Sequence, residues 1–242
     1  MKRGREIVDN SSSDSSSEEP LVLDEGDGKE TVSVDFEFFD PKTSDFWSLK
    51  NLMQNVKPPI TSMFPEANLS ELANVVSEQV SVGTLVKTDT AGGVLAFVSL
   101  LNLHTHDNLD FVKKLKQSIL NSQSISSGDK SRFQRAFESK FAGVLVSARM
   151  VNFPDELVAK MFDSLNQDVR WAIKNEDTNE LRESFMFQQI IVVTAFSESS
   201  SRASATQKKK NKRKGNASSQ NTAEDTDRLF EYFEEEIFFN VS

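Results

Sequence analysis

Hydrophobic and polar positions alternate from about Thr31: Val32, Val34, Phe36 and Phe38 are separated by Ser33, Asp35 and Glu37. A period of two is that of a strand with one buried face, and Asp40-Pro41 closes it. Ser44 or Asp45 is placed to cap a helix over about 45–55. Lys57-Pro-Pro59 ends that unit, because proline lacks the N–H a helix needs. Asn68-Leu-Ser-Glu71 then opens a second helix, with Leu69, Leu72, Val75, Val76 and Val80 along one side.

Two β-like runs follow, Val82 to Thr88 and Val94 to Leu101, joined by Asp89-Thr-Ala-Gly-Gly93. A glycine pair between short apolar runs signals a hairpin. Leu109, Val112, Leu115, Ile119 and Leu120 recur at helical spacing over about 108–121, and a serine-rich loop leads to a shorter helix at about 129–140. Gly143 to Ala148 reads as a buried central strand. Pro154 stands at the first turn of a long helix reaching about Lys174, with apolar Leu157, Val158, Met161, Phe162, Leu165, Val169 and Ala172. Phe185 to Phe196 is expected as a strand, Asp225 to Phe233 as a helix, and Glu236 to Val241 as a last strand. Strands alternating with helices in this way indicate α/β or α+β, a single domain with one mixed sheet over 31–242. No internal repeat is evident.

Two segments fall outside these periods. Residues 1–30 hold the low-complexity run Ser11 to Glu19 and carry a balance of −5. Such a stretch has too little apolar surface to offset the entropy of ordering, so a disordered tail is expected. Ser11, Ser15 and Ser16 each precede an acid by three residues, which suits an acid-directed kinase; an unmodified spacer is the other reading. Residues 197–224 form a basic insertion, also expected to be disordered, with a balance of +5. Residues 225–242 return to −5, and the net charge is −9. An acidic body with one basic island favours a basic partner over nucleic acid.

The insertion carries the strongest short motif, Lys208, Lys209, Lys210, Lys212, Arg213 and Lys214 around a single asparagine. Six cations in seven residues match a nuclear localisation signal read by the import machinery. Contact with RNA or an anionic surface is the second reading, but no aromatic is interleaved to stack bases. Sequence-specific nucleic-acid binding is not expected.

Chemistry is sparse. With no cysteine, disulfides, thiolate zinc sites and cysteine nucleophiles are excluded. No run approaches the roughly 20 apolar residues that span a bilayer, so no membrane insertion is expected and the reading is a soluble intracellular protein. The two histidines, His104 and His106, lie in a segment expected to link a strand to a helix, with Asp107 beside them but no clear further metal ligands. No Gly-x-Gly-x-x-Gly or Walker pattern occurs, and no strong base accompanies a plausible serine nucleophile. No catalytic residue and no cofactor follow from these residues. Phenylalanine is abundant, 19 against one tyrosine and two tryptophans, and Phe36, Phe97, Phe162 and Phe187 fall on expected core faces. Neighbours on a strand point to opposite faces, so one ring each of Phe38-Phe39 and Phe238-Phe239 is expected at the surface or under a partner.

Several pieces carry a resemblance: Val82 to Asp89, Leu95 to Leu103, Gly143 to Arg149, Asn152 to Leu157 before the long helix, and the lysine-rich insertion leading to Glu234-Glu-Glu-Ile-Phe-Phe239. In this order they resemble the BCCIP family, which includes the fungal Bcp-type proteins, over roughly 31–242. The resemblance implies an acetyltransferase-like (GNAT-like) fold without demonstrated enzyme activity. Active members of that superfamily hold a cofactor pyrophosphate on a glycine-containing loop before the central helix. Leu103 to Leu109 is read as the corresponding stretch here, and it has no glycine. The resemblance also implies a further segment rich in aromatics and prolines beyond the last strand, so a terminal strand is expected to be missing. It implies a nuclear protein, shuttling to the cytoplasm, that chaperones a basic large-subunit ribosomal protein in ribosome biogenesis and export. An adaptor in DNA repair and cell-cycle control is the alternative, and a cryptic acyl-CoA-dependent transferase is the alternative of another class. For the chaperone reading, Asp225, Asp227, Glu231, Glu234, Glu235 and Glu236 are the candidate partner-binding acids, with Phe238 and Phe239 adding apolar contact.

Overall fold

The expected first strand is cut short by its neighbour. β1 is only Glu37–Phe39, because β2 (Gly83–Lys87) ends opposite it, Glu37 facing Lys87, and offers nothing further to pair with. The computed structural model describes residues 34–57, 59–64, 67–199, 227–230, 232, 234 and 236–238. The expected disordered tail 1–30 and residues 200–224 of the expected disordered insertion 197–224 lie outside the described residues, whereas Ser197 to Ser199, at the start of that insertion, are strand and not disordered.

After β1 a single 3-10 turn leads into α1 (Phe46–Asn55), followed by α2 (Ile60–Met63) and α3 (Leu69–Glu78). Asn68 caps α3 as its sequence position requires, its Oδ1 accepting from Ser70 N and Glu71 N. β2 and β3 (Ala96–Asn102) form the expected hairpin, Val86 opposite Ala96. Neither connecting glycine has a positive φ; a Cβ on Gly92 would lie 3.1 Å from Thr88 Oγ1. α4 (Asp110–Asn121), α5 (Ser127–Glu138), β4 (Ala142–Arg149) and α6 (Asp155–Asn175) all fall within two residues of their expected bounds.

The sheet runs β1-β2-β3-β4-β5, antiparallel except for the parallel pair of β4 with β5 (Gln189–Ile191). Helices cover both faces. Leu85, Phe97, Leu101, Val144 and Val146 pack against helices α1, α3 and α4 through Leu49, Leu72 and Phe111. Val86, Val98 and Leu100 pack on the other face against Val158, Met161 and Leu165 of α6. With both faces covered, β2 and β3 are buried along their whole length, which is why they read as continuous apolar runs. It also corrects one expectation: Phe38 and Phe39 are both half-buried, one packed against each apolar cluster, so neither ring stands fully at the surface.

Three further expectations fail at the C-terminal side. The expected strand 185–196 is only Gln189–Ile191, because Phe185 N and Met186 N donate back to Arg182 O and Glu183 O at the end of a short helix α7 (Asn179–Ser184) and so are not available to a ladder. The chain then leaves the main sheet, and β6 (Phe196–Ser199) pairs with β7 (Asp227–Phe230) in a separate two-stranded ribbon. Asp225 to Phe233 is therefore not a helix where it is described, since a partner remote in sequence offers its backbone a ladder instead. Glu234 and residues 236–238 are helical rather than extended. A helical turn puts Glu234 and Phe238, four residues apart, on one side, where both reach the body of the domain. Among the described residues no helix is long and apolar enough to cross a membrane.

Candidate functional site

Arg149 organises the C-terminal end of β4. It terminates a run of small and apolar residues, and its side chain is only 10% exposed. A buried guanidinium needs acceptors. Nη1 donates to Glu234 Oε1 at 2.5 Å, Nη2 lies 3.6 Å from Asp155 Oδ1, and the group sits 4.2 Å over the Tyr232 ring. Tyr232 in turn donates its hydroxyl to Lys57 O at 2.9 Å. Phe238 packs edge-on against Phe162 of α6, with ring centroids 5.6 Å apart. Three residues, Tyr232, Glu234 and Phe238, thus pin the chain after β7 across the body.

This changes the role of the candidate acids. Glu234, 12% exposed at its side chain, is an internal ion-pair partner and not a free anion for a client. Glu236 is exposed, beside Ile237 at 54%. Asp227 lies in β7, whereas Asp225, Glu231, Glu235 and Phe239 lie outside the described residues. So do Ser11, Ser15, Ser16 and the tract Lys208, Lys209, Lys210, Lys212, Arg213 and Lys214.

Phe238 marks the edge of a larger feature that the sequence did not announce. A groove of about 690 Å³ opens between α6 and β5, walled by Phe162, Val169, Phe187, Ile190 and Phe238 over a floor that includes Leu145. Ile190 is 52% exposed and Met186 41%, although both belong to the most apolar run of the chain. Ile190 is exposed because β5 is the edge of the five-stranded sheet, and Met186 lies in the irregular stretch that leads into it. The available signal was that run itself, too short and too late in the sheet order to be covered.

The β3–α4 turn, read as the pyrophosphate stretch, is sealed from within. Asn102 is buried; its Oδ1 accepts from His104 N and Thr105 N, and its Nδ2 donates to Lys140 O and Ser184 O. The first free N–H groups of α4, those of Asp110 and Phe111, donate to the two carboxylate oxygens of Glu71 at 3.2 and 3.1 Å. The topology also moves the position at issue. A strand-helix-strand unit with parallel strands presents its ligand site beyond the strand's carboxyl end, and here that unit is β4–α6–β5. The stretch before its helix is Met150 to Pro154, not Leu103 to Leu109. It too lacks glycine, Asn152 taking the left-handed φ of 66°, and Asp155 and Glu156 occupy the first turn of α6. Two carboxylates there oppose an incoming anion.

His104 and His106 fall in the β3–α4 turn, as expected, with His104 exposed and His106 half-buried. Burial lowers the His106 pKa from the usual imidazole value. Among the described residues no group of three His, Asp or Glu side chains could hold a metal ion.

A family model described as BCCIP matches residues 31–239. The chain belongs to the BCCIP family. It is 36% identical over 176 residues to "Protein BCCIP homolog" of Arabidopsis thaliana, covering 71% of this chain and 52% of that protein. It is 27% identical over 244 residues to "Protein bcp1" of Aspergillus fumigatus, covering 98% and 79%. "Protein bcp1" of Schizosaccharomyces pombe is 27% identical over 217 residues, covering 87% and 72%. The chain thus spans about half the length of the plant relative. A solved diaminobutyrate acetyltransferase, EctA from Paenibacillus lautus, overlaps 55% of this chain and 57% of its own at TM-score 0.31 and 10% identity, too little to assign a fold. The single mixed-sheet α/β domain rests on the strands themselves.

Proposed function

We propose that the chain is a non-enzymatic nuclear escort for a basic large-subunit ribosomal protein, supporting ribosome biogenesis and carriage of that protein between nucleus and cytoplasm. The observation that carries the reading is the open apolar groove between α6 and β5 on a chain of net charge −9. A ribosomal protein away from RNA exposes cationic surface. A negatively charged body speeds and orients its approach, and burial of apolar surface in the groove slows its departure. Exposed Glu236 and Ile237 place an acid and an apolar side chain near Phe238, on the groove.

The rival reading, an acyl-CoA-dependent transferase, keeps some support from the strand and helix order, which fits the acetyltransferase-like topology the family resemblance implies. Its site is poorly served by the residues present, since Asp155 and Glu156 open α6 and Glu71 occupies the donors of α4. Acetyl-CoA is expected to bind no tighter than millimolar, about −4 kcal/mol, by calorimetry. Micromolar affinity would establish the transferase instead.

The escort reading is tested by affinity purification from nuclear extract at moderate salt with identification of what is bound. One basic ribosomal protein is expected, in amounts that fall as salt screens exposed charge over a length of about 8–10 Å. Recovery of repair or cell-cycle proteins without it would favour the adaptor alternative.

A further inference from the structure

A second concavity, of about 470 Å³, opens at the C-terminal end of α6 and meets the apolar groove at Phe185, which lines both. Three helices end on it: α3 at Glu78 with Gln79 as its cap, α6 at Asn175 with Glu176, and α7 at Ser184 with Phe185. The last carbonyls of a helix carry partial negative charge and favour a cation. Two carboxylates, Glu78 and Glu176, line the same cavity, and among the described residues no lysine or arginine does.

Two of the other polar side chains, Gln79 and Asn102, are committed to the fold. Gln79 Nε2 donates to Val82 O, Ser99 Oγ and Leu100 O, and Asn102 holds the β3–α4 turn. Arg182 donates its Nε to the backbone carbonyl of Glu176 at 2.6 Å. Glu176 is half-buried, and its Oε1 has no hydrogen-bond donor among the described residues. A carboxylate oxygen in that position gains from a donor that enters the cavity. His106 lines the cavity without competing, because burial keeps the imidazole neutral near neutral pH. Val75, Leu109 and Leu181 complete the walls with apolar surface.

We propose that this cavity receives one cationic side chain of the client, an arginine or lysine whose head meets Glu78 and Glu176 and whose methylenes lie against Val75, Leu109 and Leu181. Charge at the tip and an apolar stem are the two halves of such a side chain. The proposal rests on the escort reading, and it adds a specific anchor beside the groove.

The two histidines supply the assay, since His106 lines the cavity and His104 does not. Imidazole resonances are followed by NMR while three probes are added: a capped Gly-Arg-Gly peptide, the same peptide with neutral citrulline, and agmatine as a free guanidinium. The arginine peptide should shift His106 and leave His104 still, and the citrulline peptide should do neither. Glu176→Gln should weaken the arginine peptide about tenfold, as loss of a charge-assisted hydrogen bond implies. Glu78→Gln, on an exposed residue, should weaken it similarly with no change in the thermal midpoint, and so keeps the test valid if Glu176→Gln perturbs folding. An unmoved His106, equal response to citrulline, or tighter binding of agmatine than of the peptide would each overturn the proposal. A silent cavity in a protein that still holds its client soluble would refute the anchor alone. A responsive cavity in a protein that binds no basic client would refute the escort reading alone.

Discussion

Glu234 separates stability from client binding, and its replacement has a cost that follows from the geometry. Its carboxylate meets Arg149 at 2.5 Å with the two side chains 12% and 10% exposed. Removing one partner of a buried pair costs about 3–5 kcal/mol, because the other charge stays behind uncompensated. Asp155 Oδ1, 3.6 Å from Arg149 Nη2 but itself 69% exposed, offers partial relief. Glu234→Gln is therefore expected at the low end, about 3 kcal/mol. For a domain of this size each kcal/mol moves the thermal midpoint by about 2–4 °C, so the drop should be about 6–12 °C. Arg149→Met combined with Glu234→Leu replaces the pair by apolar groups of similar volume and should recover most of that loss. Glu236→Gln, two residues away and exposed, should stay within about 0.5 kcal/mol of the parent. Urea titrations of the parent, Arg149→Met, Glu234→Leu and the double variant close a double-mutant cycle. If Glu234→Gln melts with the parent, or the double variant is worse than either single one, the Arg149 anchor is not what holds this segment.

Lys87 Nζ lies 2.5 Å from Asp45 Oδ1 with both side chains under a tenth exposed, so Lys87→Met should cost about 3–5 kcal/mol in urea titration. His106 is held below the ordinary imidazole pKa of 6.5 by burial, so the unfolded chain takes up the proton first. Stability should be full above about 6.5 and fall as pH drops below it, and His106→Gln should flatten that slope in melts recorded between pH 7.5 and 5. A Cβ on Gly143 would come 2.7 Å from the Phe187 ring, so Gly143→Ala should cost about 1–3 kcal/mol and displace Phe187 at the groove, read as a changed ring environment by NMR. Neutralising Lys208, Lys209, Lys210, Lys212, Arg213 and Lys214 should lower nuclear accumulation; unchanged import kinetics would put the address elsewhere.

Elements that carry their own pattern were legible from the chain alone. The apolar stripe and Asn68 cap of α3, the long stripe of α6 and the glycine-joined β2–β3 pair need no distant partner to declare themselves. β6 and β7 do need one, for they exist only by pairing across 27 intervening residues, and the local pattern of 225–233 suits a helix equally well. The same limit governs the candidate site. A row of acids at 234–236 looks uniformly solvated in sequence, and only the body of the domain separates Glu234, inside against Arg149, from Glu236 outside. A hint was present in Arg149 itself, a lone cation closing a strand of small and apolar residues, which asks for an acid from elsewhere. The groove could not be foreseen, because exposure of Ile190 depends on β5 being last in the sheet.

The central claim, specific escort of a basic ribosomal protein, is tested most directly by client solubility on co-expression. The client is produced with the intact chain, with the chain carrying Ile190→Arg in the groove, and with an unrelated acidic protein of similar net charge. The intact chain is expected to keep the client in the supernatant as a stoichiometric complex that weakens with salt. Ile190→Arg, placing a like charge where apolar contact is required, should leave most of the client in the pellet while the variant itself stays folded. Equal protection by the unrelated acidic protein would contradict the claim, and the chain would then act only as a generic polyanion.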